Sequence, residues 1–432
     1  MDEIAYDRKI PVRYEADVAI FGAGMAGVSA ALGAALRGAR VLLVERFAVP
    51  GGNSTTGGVA SFCGNTRGQG RAFDMVVEGL EAFGAVAPLD AGKSSRVFHH
   101  EILAVVLQEL LLRHGIRLLL HTRFVDVLCM DGHIGACIVC GPSGPEAVRA
   151  KQFVDCTGEG ELAARAGFPT MKGGGGGYQL PMSLLYFVRH VVNADRRREV
   201  PPGWFGSLER EDQLPMTSVW PNGPGSNAVK IKIPMFDSTD TESMTAAEIR
   251  GRRRMMEVLD YHQRVEGRNW IFDHCSPMIG IREGRRITGD YVLAVEDLRA
   301  GRSFDDAIAV GTFYLDGHKT DDDKRTYILP KDELAVPPYD IPLRSLIARG
   351  GDNLMMAGRC LSADQLALSS ARVTTTCSMT GYAAGVTAAL AAAAGTDPRA
   401  VSVRRVQDIL LEGGAVLDKG KVRQLYAAGS DA

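Results

Sequence analysis

Along residues 17–46, DVAIFGAGMAGVSAALGAALRGARVLLVER, the hydrophobic pattern changes period twice. Asp17–Phe21 is a short apolar run of strand type. Met25–Arg37 is alanine-rich and helix-forming, Gly38 stops it, and Val41–Val44 is a second apolar run ending at Glu45. The pattern predicts strand, glycine turn, helix, strand and acid, in that order. The turn reads Gly22-Ala23-Gly24-Met25-Ala26-Gly27. At this spacing Gly22 permits a tight bend, Gly24 lets backbone approach a pyrophosphate, and Gly27 lets helix and strand pack closely. The first N–H groups of the helix, with its dipole, then favour phosphate charge. Glu45, with Arg46 beside it, lies 23 residues after Gly22, where a carboxylate can accept hydrogen bonds from a ribose diol. These features in register predict a dinucleotide site. Taken alone they suit NAD, NADP or FAD.

Downstream, the periodicity predicts helices over 70–83 and 98–114, then strands over 117–121, 122–130, 134–139 and 147–150. A further strand, 151–155, runs into Cys156-Thr157-Gly158-Glu159-Gly160 and a short helix at 161–166. Gly173–Gly177 are consecutive glycines that read as a hinge, a loop passing a ligand, or a plain linker. From Leu180 the pattern changes to alternating strands at 182–189 and 229–233, followed by a helix over 245–266. That helix carries Arg252-Arg253-Arg254, read as a solvated face or a contact with acidic neighbours. Beyond residue 275 come a short strand at 352–357, ending in Gly358-Arg359, and a small-residue helix, Thr374–Ala394. Its Gly and Ala residues suit close packing beneath a cofactor or against a sheet.

A chain of 432 residues exceeds a single core, so more than one domain is expected. Hydrophobic content of 46%, charged content of 23% and a net charge of −2 are ordinary for a soluble protein and give no support for a polyanion-binding surface. The polar N-terminus lacks a signal-peptide core, and no window of 18 apolar residues is free of a charge or glycine break. A cytoplasmic location without a membrane span is therefore expected. The eight cysteines are scattered, and Cys137 and Cys140, three apart on a strand, point to opposite faces. No iron–sulfur ligand run, metal-ligand spacing or Ser-His-Asp arrangement is evident. No metal and no nucleic-acid partner is expected.

Five blocks carry a resemblance: GAGMAG…VER, GGNSTTGG, VDCTGEGELAARAG, GIREGRRITGDY, and NLMMAGRCLSA followed by ARVTTTCSMTGYAAG. In this order they resemble the FAD-dependent oxidoreductase family of the glutathione-reductase-like, two-dinucleotide-fold superfamily. More distantly they are similar to fumarate reductase and succinate dehydrogenase flavoproteins. The resemblance spans roughly 15–395 and implies an α/β fold. In that fold a Rossmann-like FAD-binding domain, with a parallel sheet and a β-meander, is interrupted by an α+β cap or substrate domain. The divisions expected are 15–178 and 275–395 for the FAD-binding domain, 179–274 for the cap, and 396–432 for a C-terminal helical extension.

Carried over to this chain, the resemblance places the FAD pyrophosphate on Gly22, Ala23, Gly24, Met25, Ala26 and Gly27, and the adenosine ribose on Glu45 and Arg46. Gly51, Gly52, Asn53, Ser54, Gly57 and Gly58 match the loop under the ribityl chain and isoalloxazine. That loop is shorter here, which leaves Thr55 and Thr56 without an assigned contact. Val125 corresponds to the adenine-contacting strand, and Thr157-Gly158 to the adenosine side, with Glu159 where the family often has Asp. Gly358-Arg359 matches the strand end on the flavin's other flank. Val373-Thr374 would present amides to the flavin O2, with Arg372 either adding to this or forming a surface salt bridge.

Two residues are candidates for the chemistry. His318 follows Tyr314-Leu315-Asp316-Gly317 in a block the family also carries, and reads as a proton donor or acceptor or as a structural histidine bonded to Asp316. Arg282, clustered with Glu283, Arg285 and Arg286, reads as a clamp for a substrate carboxylate or as half of a buried pair. Cys63 ends the flavin-side loop, where a redox thiol or covalent flavin link is conceivable, and His99 and His100 open a helix as capping or surface residues. The expected function is hydride transfer between a small organic substrate and flavin N5. The alternative is a flavin-carrying electron-transfer subunit, or an interaction module acting with a partner protein. A homo-oligomer or an electron-accepting protein is left open as partner.

Overall fold

The computed structural model describes residues 3–5, 7–89, 95–192 and 200–427. Residues 193–199 of the insert and 428–432 of the C-terminal extension lie outside the described residues. The opening strand is Val12–Phe21, longer at its start than the apolar run alone suggests. It pairs in parallel with Val41–Val44 on one side and with Gly144–Asp155 on the other. Arg117–Leu119 adds beyond Val41–Val44, and Leu354–Met356 beside the end of Gly144–Asp155. The parallel strands therefore lie in the order third, second, first, fourth, fifth, a doubly wound arrangement with a reversal at the first strand. Every residue of Val41–Val44 is buried, as a strand covered on both faces requires.

Arg123–Met130 and His133–Gly141 form the meander, laid antiparallel onto Gly144–Val148. The expected break between 147–150 and 151–155 is absent, because one strand of 12 residues joins the parallel strands and the meander in a single sheet. Lys151 is exposed and pairs with Asp17 at 3.0 Å.

The helix after the glycine turn is Met25–Ala35, and Thr374–Ala394 lies against it. A Cβ at Gly385 would sit 1.9 Å from the Ala30 carbonyl oxygen, and one at Gly381 2.1 Å from that of Ala26. The small residues of the last helix thus let two helix backbones touch. By length and composition this helix could cross a membrane, but 83% of its apolar window is buried inside the protein. It is a core helix.

The insert forms an antiparallel sheet ordered Thr217–Pro221, Ser226–Ile233, Met182–His190, Trp270–Cys275. Helix Thr241–Arg264 covers one face, burying Leu184, Tyr186, Val229, Ile231, Val258 and Leu259 in a core of their own. The helix starts earlier than its apolar pattern because Asp240 caps it, accepting from the Ser243 amide at 2.8 Å. Arg254 meets acidic neighbours, Glu257 at 2.8 Å and Asp323 at 3.3 Å. On the other face lie Leu185, Phe187, Ala228 and Lys230, by strand alternation. This face turns toward the loop at Gly58 and Ala60: a Cβ on Gly58 would be 3.3 Å from that of Leu185, and Ala60 packs with Phe187.

The glycine run is clasped to the body. Glu283, fully buried, accepts from the Gly173 amide at 2.9 Å and the Leu180 amide at 2.7 Å, and pairs with Arg286 at 3.1 Å. After Thr374–Ala394 the chain closes with helices Val403–Glu412 and Lys419–Ala427.

Candidate functional site

A cleft opens at the carboxyl ends of the central parallel strands, where the strand order reverses. Its walls bring together Gly22, Gly24, Met25, Ala26, Glu45, Arg46, Gly51, Gly52, Asn53 and Ser54. Across from them stand Thr157, Gly158, Gly358, Arg359, Arg372 and Thr374. The empty space, counted with its open mouth, is about 910 Å³, within the range of cofactor and ligand sites.

The glycines divide by what they avoid. Gly22 has φ +92°, and a Cβ there would lie 2.4 Å from the Cys156 carbonyl oxygen. A Cβ on Gly27 would lie 1.8 Å from the Gly22 carbonyl oxygen. Gly24 is different. Its φ of −63° is open to any residue, and no protein atom lies within 4 Å of a Cβ built on it. Its missing side chain leaves room in the cleft, not in the protein.

Two helix N-termini reach this cleft without a side-chain cap: Met25–Ala35, behind Gly24, and Thr374–Ala394, behind Val373. Their first amides and dipoles favour negative charge on a ligand. Three buried polar atoms on the cleft residues also lack protein partners: the Asn53 Oδ1 acceptor and the Arg359 Nη1 and Arg372 Nε donors. Native structures rarely leave such atoms unmatched. A ligand carrying phosphates and a hydrogen-bonding heteroaromatic ring fits both features.

Glu45 is buried, and its Oε2 and Oε1 accept from the amides of Ala23 at 2.7 Å and Phe47 at 3.0 Å. Those two bonds aim the carboxylate and leave each oxygen a further lone pair for a ligand hydroxyl. Burial raises its pKa, with the amide bonds opposing. Arg46 is engaged elsewhere, pairing with Glu159 and Glu161 at 3.4 Å each. Glu159 also binds Arg359 at 2.9 Å, so one carboxylate ties two cleft arginines together. Gly158, at φ +81°, leaves space for Arg359, whose Nη2 would lie 2.1 Å from a Cβ.

Six residues expected at the cofactor do not line the cleft. Ala23 spends its amide on Glu45 and its carbonyl on the Gly51 amide. Gly27 packs on Gly22, and Val373 stands just behind Thr374. The turn at Gly52–Ser54 swings Gly57 against Asn53 and Gly58 against Ser276, just past the insert, so this glycine pair serves packing. Val125 is the unpaired residue of a bulge between Phe124 and Asp126. Its neighbours Thr122, Arg123 and Phe124 meet the cleft instead.

Near the Arg372 end, four separate segments bring a charged group together. Arg372 is not at the surface; it binds Asp316 at 2.8 Å. Asp316 also meets His318 Nε2 at 3.1 Å and the Tyr314 hydroxyl at 3.3 Å. Burial raises the Asp316 pKa, but the His318 bond and the Arg282 and Arg372 charges outweigh it and hold the carboxyl well below the usual range. Lys230, from the inward face of the insert sheet, has Arg282, Asp316, Cys63 and Arg372 within electrostatic reach. Burial and Arg282 push its pKa down to about 8. Arg282 is buried with its Nη1 unpartnered, and the Arg372 Nε is unpartnered too. Lys230 is not singled out by the sequence, although a lysine on the inward face of a half-apolar strand is a usable signal.

His318 makes the contacts of the second of its two readings, a structural histidine bonded to Asp316. Its Nε2 faces Asp316, its Nδ1 faces the Thr326 carbonyl at 3.1 Å, and its ring stacks on Tyr327 at 4.5 Å. Both nitrogens are engaged, so it positions Asp316 and has no free nitrogen for a substrate proton. Arg282 does meet the charged group, while Glu283 and Arg286 face away to the glycine run. Burial raises the Cys63 thiol pKa, which keeps the sulfur protonated and weakly nucleophilic.

The family described as FAD dependent oxidoreductase matches residues 17–410. No curated protein matches the chain. Similar solved structures include the anhydrotetracycline hydroxylase OxyS from Streptomyces rimosus, at 17% identity, 96% of this chain, 69% of that chain and TM-score 0.46. A geranylgeranyl bacteriochlorophyll reductase-like protein from Thermoplasma acidophilum has 13% identity, coverages of 97% and 92%, and TM-score 0.49. The myxobacterial chondrochloren halogenase CndH, an FAD-dependent halogenase, has 13% identity, coverages of 97% and 87%, and TM-score 0.48. The chain belongs to the FAD-dependent oxidoreductase family, an enzyme whose cofactor is FAD.

Proposed function

We propose that this enzyme transfers a hydride between flavin N5 and a small organic anion held by Arg282, Lys230 and Arg372. One observation carries the reading: three cations gathered around one carboxylate, with two buried guanidinium nitrogens left without acceptors. Unpaired buried charge is costly, and an arriving carboxylate would supply the missing acceptors. In this reading bound FAD supplies the hydride acceptor or donor. The protein's share is to hold, orient and shield. Gly22, Gly24 and the Met25 helix end would take the pyrophosphate, Glu45 the ribose hydroxyls, and Asn53, Arg359 and the Thr374 helix end the ring system. The segment 179–274 acts as the cap, with Lys230 reaching down from its sheet, between the two parts of the FAD-binding domain at 15–178 and 275–395. A cationic pocket inside the chain itself favours an enzyme with its own substrate over a module that waits for a partner.

Anaerobic mixing of the yellow holoprotein with small carboxylates and their uncharged counterparts, followed at the flavin absorption band, tests this. Bleaching by a carboxylate and none by its carboxamide is expected. Equal bleaching by both, unchanged in Arg282→Gln, would sink the proposal.

A further inference from the structure

Away from the cleft, at the edge where the insert sheet meets the body, two histidines lie against one phenyl ring. His100 opens the helix His100–Arg113, and His274 sits on the strand Trp270–Cys275. Their ring centroids are 4.7 and 4.4 Å from that of Phe187, with interplanar angles of 14° and 15°. The two imidazoles are 5.5 Å apart. A phenyl held between them would keep them farther apart than this, so both lie on one face of Phe187, side by side. His100 is buried, and its Nδ1 has no hydrogen-bond partner; nor has the buried Nε2 of His274. One ligand atom from each, together with a carboxylate oxygen of Glu101, falls within 4.8 Å of the others.

The surroundings prepare both rings as ligands. Asp273 lies 3.1 Å from His274 Nδ1, which places the proton there and leaves the Nε2 lone pair free. Asp273 is itself held by Arg189 at 3.0 Å. A carboxylate behind the distal nitrogen is the support that metal-bound histidines commonly have. The unpartnered Nδ1 of His100 lies buried on a ring stacked beside that of His274. Glu101 is exposed, so its side of the group opens to water.

We propose that His100, His274 and Glu101 bind one divalent transition-metal ion of the zinc type, which ties the body helix to the cap strand. Two imidazoles and one carboxylate form a set that zinc accepts, with a fourth position for water. The ligands come from segments far apart in the chain, so no motif spacing could announce them. The site shares no residue with the cationic group.

The test uses the FAD-loaded protein, stripped with a chelator and dialysed. Titration with Co2+ is expected to give one saturable equivalent with a visible d–d band, and Zn2+ should displace it and raise the unfolding temperature. His274→Ala should abolish the band while the flavin spectrum persists. Glu101→Gln, at an exposed position that leaves the core intact, should weaken Co2+ about tenfold or more. Absence of saturable binding in the wild type, or equal binding in both variants, would overturn the proposal.

Discussion

Protonation of Lys230 sets the charge that meets an anion. Its pKa, lowered to about 8 from the ordinary 10.5, predicts opposite pH trends for binding and stability. Anion affinity should fall as pH rises through about 8, because the ammonium becomes neutral. Stability of the ligand-free protein should rise from about 8 toward 10.5, since the unfolded chain still binds the proton that the folded one has lost. Lys230→Met should lose the step in anion affinity near pH 8 and bind roughly tenfold more weakly at neutral pH, as for a lost charge-assisted bond. A step that persists in the variant would assign the titration to another group. The glycine turn offers a second residue-scale contrast. Gly24→Val should abolish flavin retention while circular dichroism and solubility stay normal, because the new side chain meets only the cleft. Gly385→Val should instead lower the yield of folded protein, because its Cβ would collide with the Ala30 carbonyl oxygen.

Among elements, those with strong periodicity or fixed glycine chemistry were legible before the structure. The strand–turn–helix–strand unit at 17–46 stands where its pattern put it, and Thr374–Ala394 matches residue for residue. Thr217–Pro221 and Trp270–Cys275 were not legible, since they are partly exposed and mix polar with apolar residues. Their strand character comes from pairing with neighbours distant in sequence. The same holds for the site. The cofactor turn is local and was readable, whereas the cationic group is assembled from the segments of Lys230, Arg282, Asp316 and Arg372. Glu283 shows how neighbours can diverge: adjacent to Arg282, it clasps the glycine run with Arg286. Glu283→Gln should leave Arg286 buried beside a neutral partner and cost about 3 kcal/mol, read as a lower denaturation midpoint. An unchanged midpoint would mean the clasp is dispensable.

At the scale of the whole molecule, the insert has a core of its own, separate from those of the doubly wound body. The doubly wound sheet supplies the cleft and its two uncapped helix ends. The insert sheet turns one face to its own helix and the other, with Leu185, Phe187 and Lys230, to the body. Of the charged group, Lys230 comes from the insert, whereas Arg282, Asp316 and Arg372 come from the body, where the Arg372–Asp316 pair stands at the end of the cleft. The most direct measurement is the dissociation constant of a small carboxylate and of its carboxamide for the oxidised holoprotein, read from the flavin difference spectrum in wild type and Arg282→Gln. The account requires the carboxylate to bind at least about tenfold more tightly than the carboxamide in the wild type, and this preference to collapse in the variant. Equal affinities for the pair, or a preference that survives loss of Arg282, would contradict it.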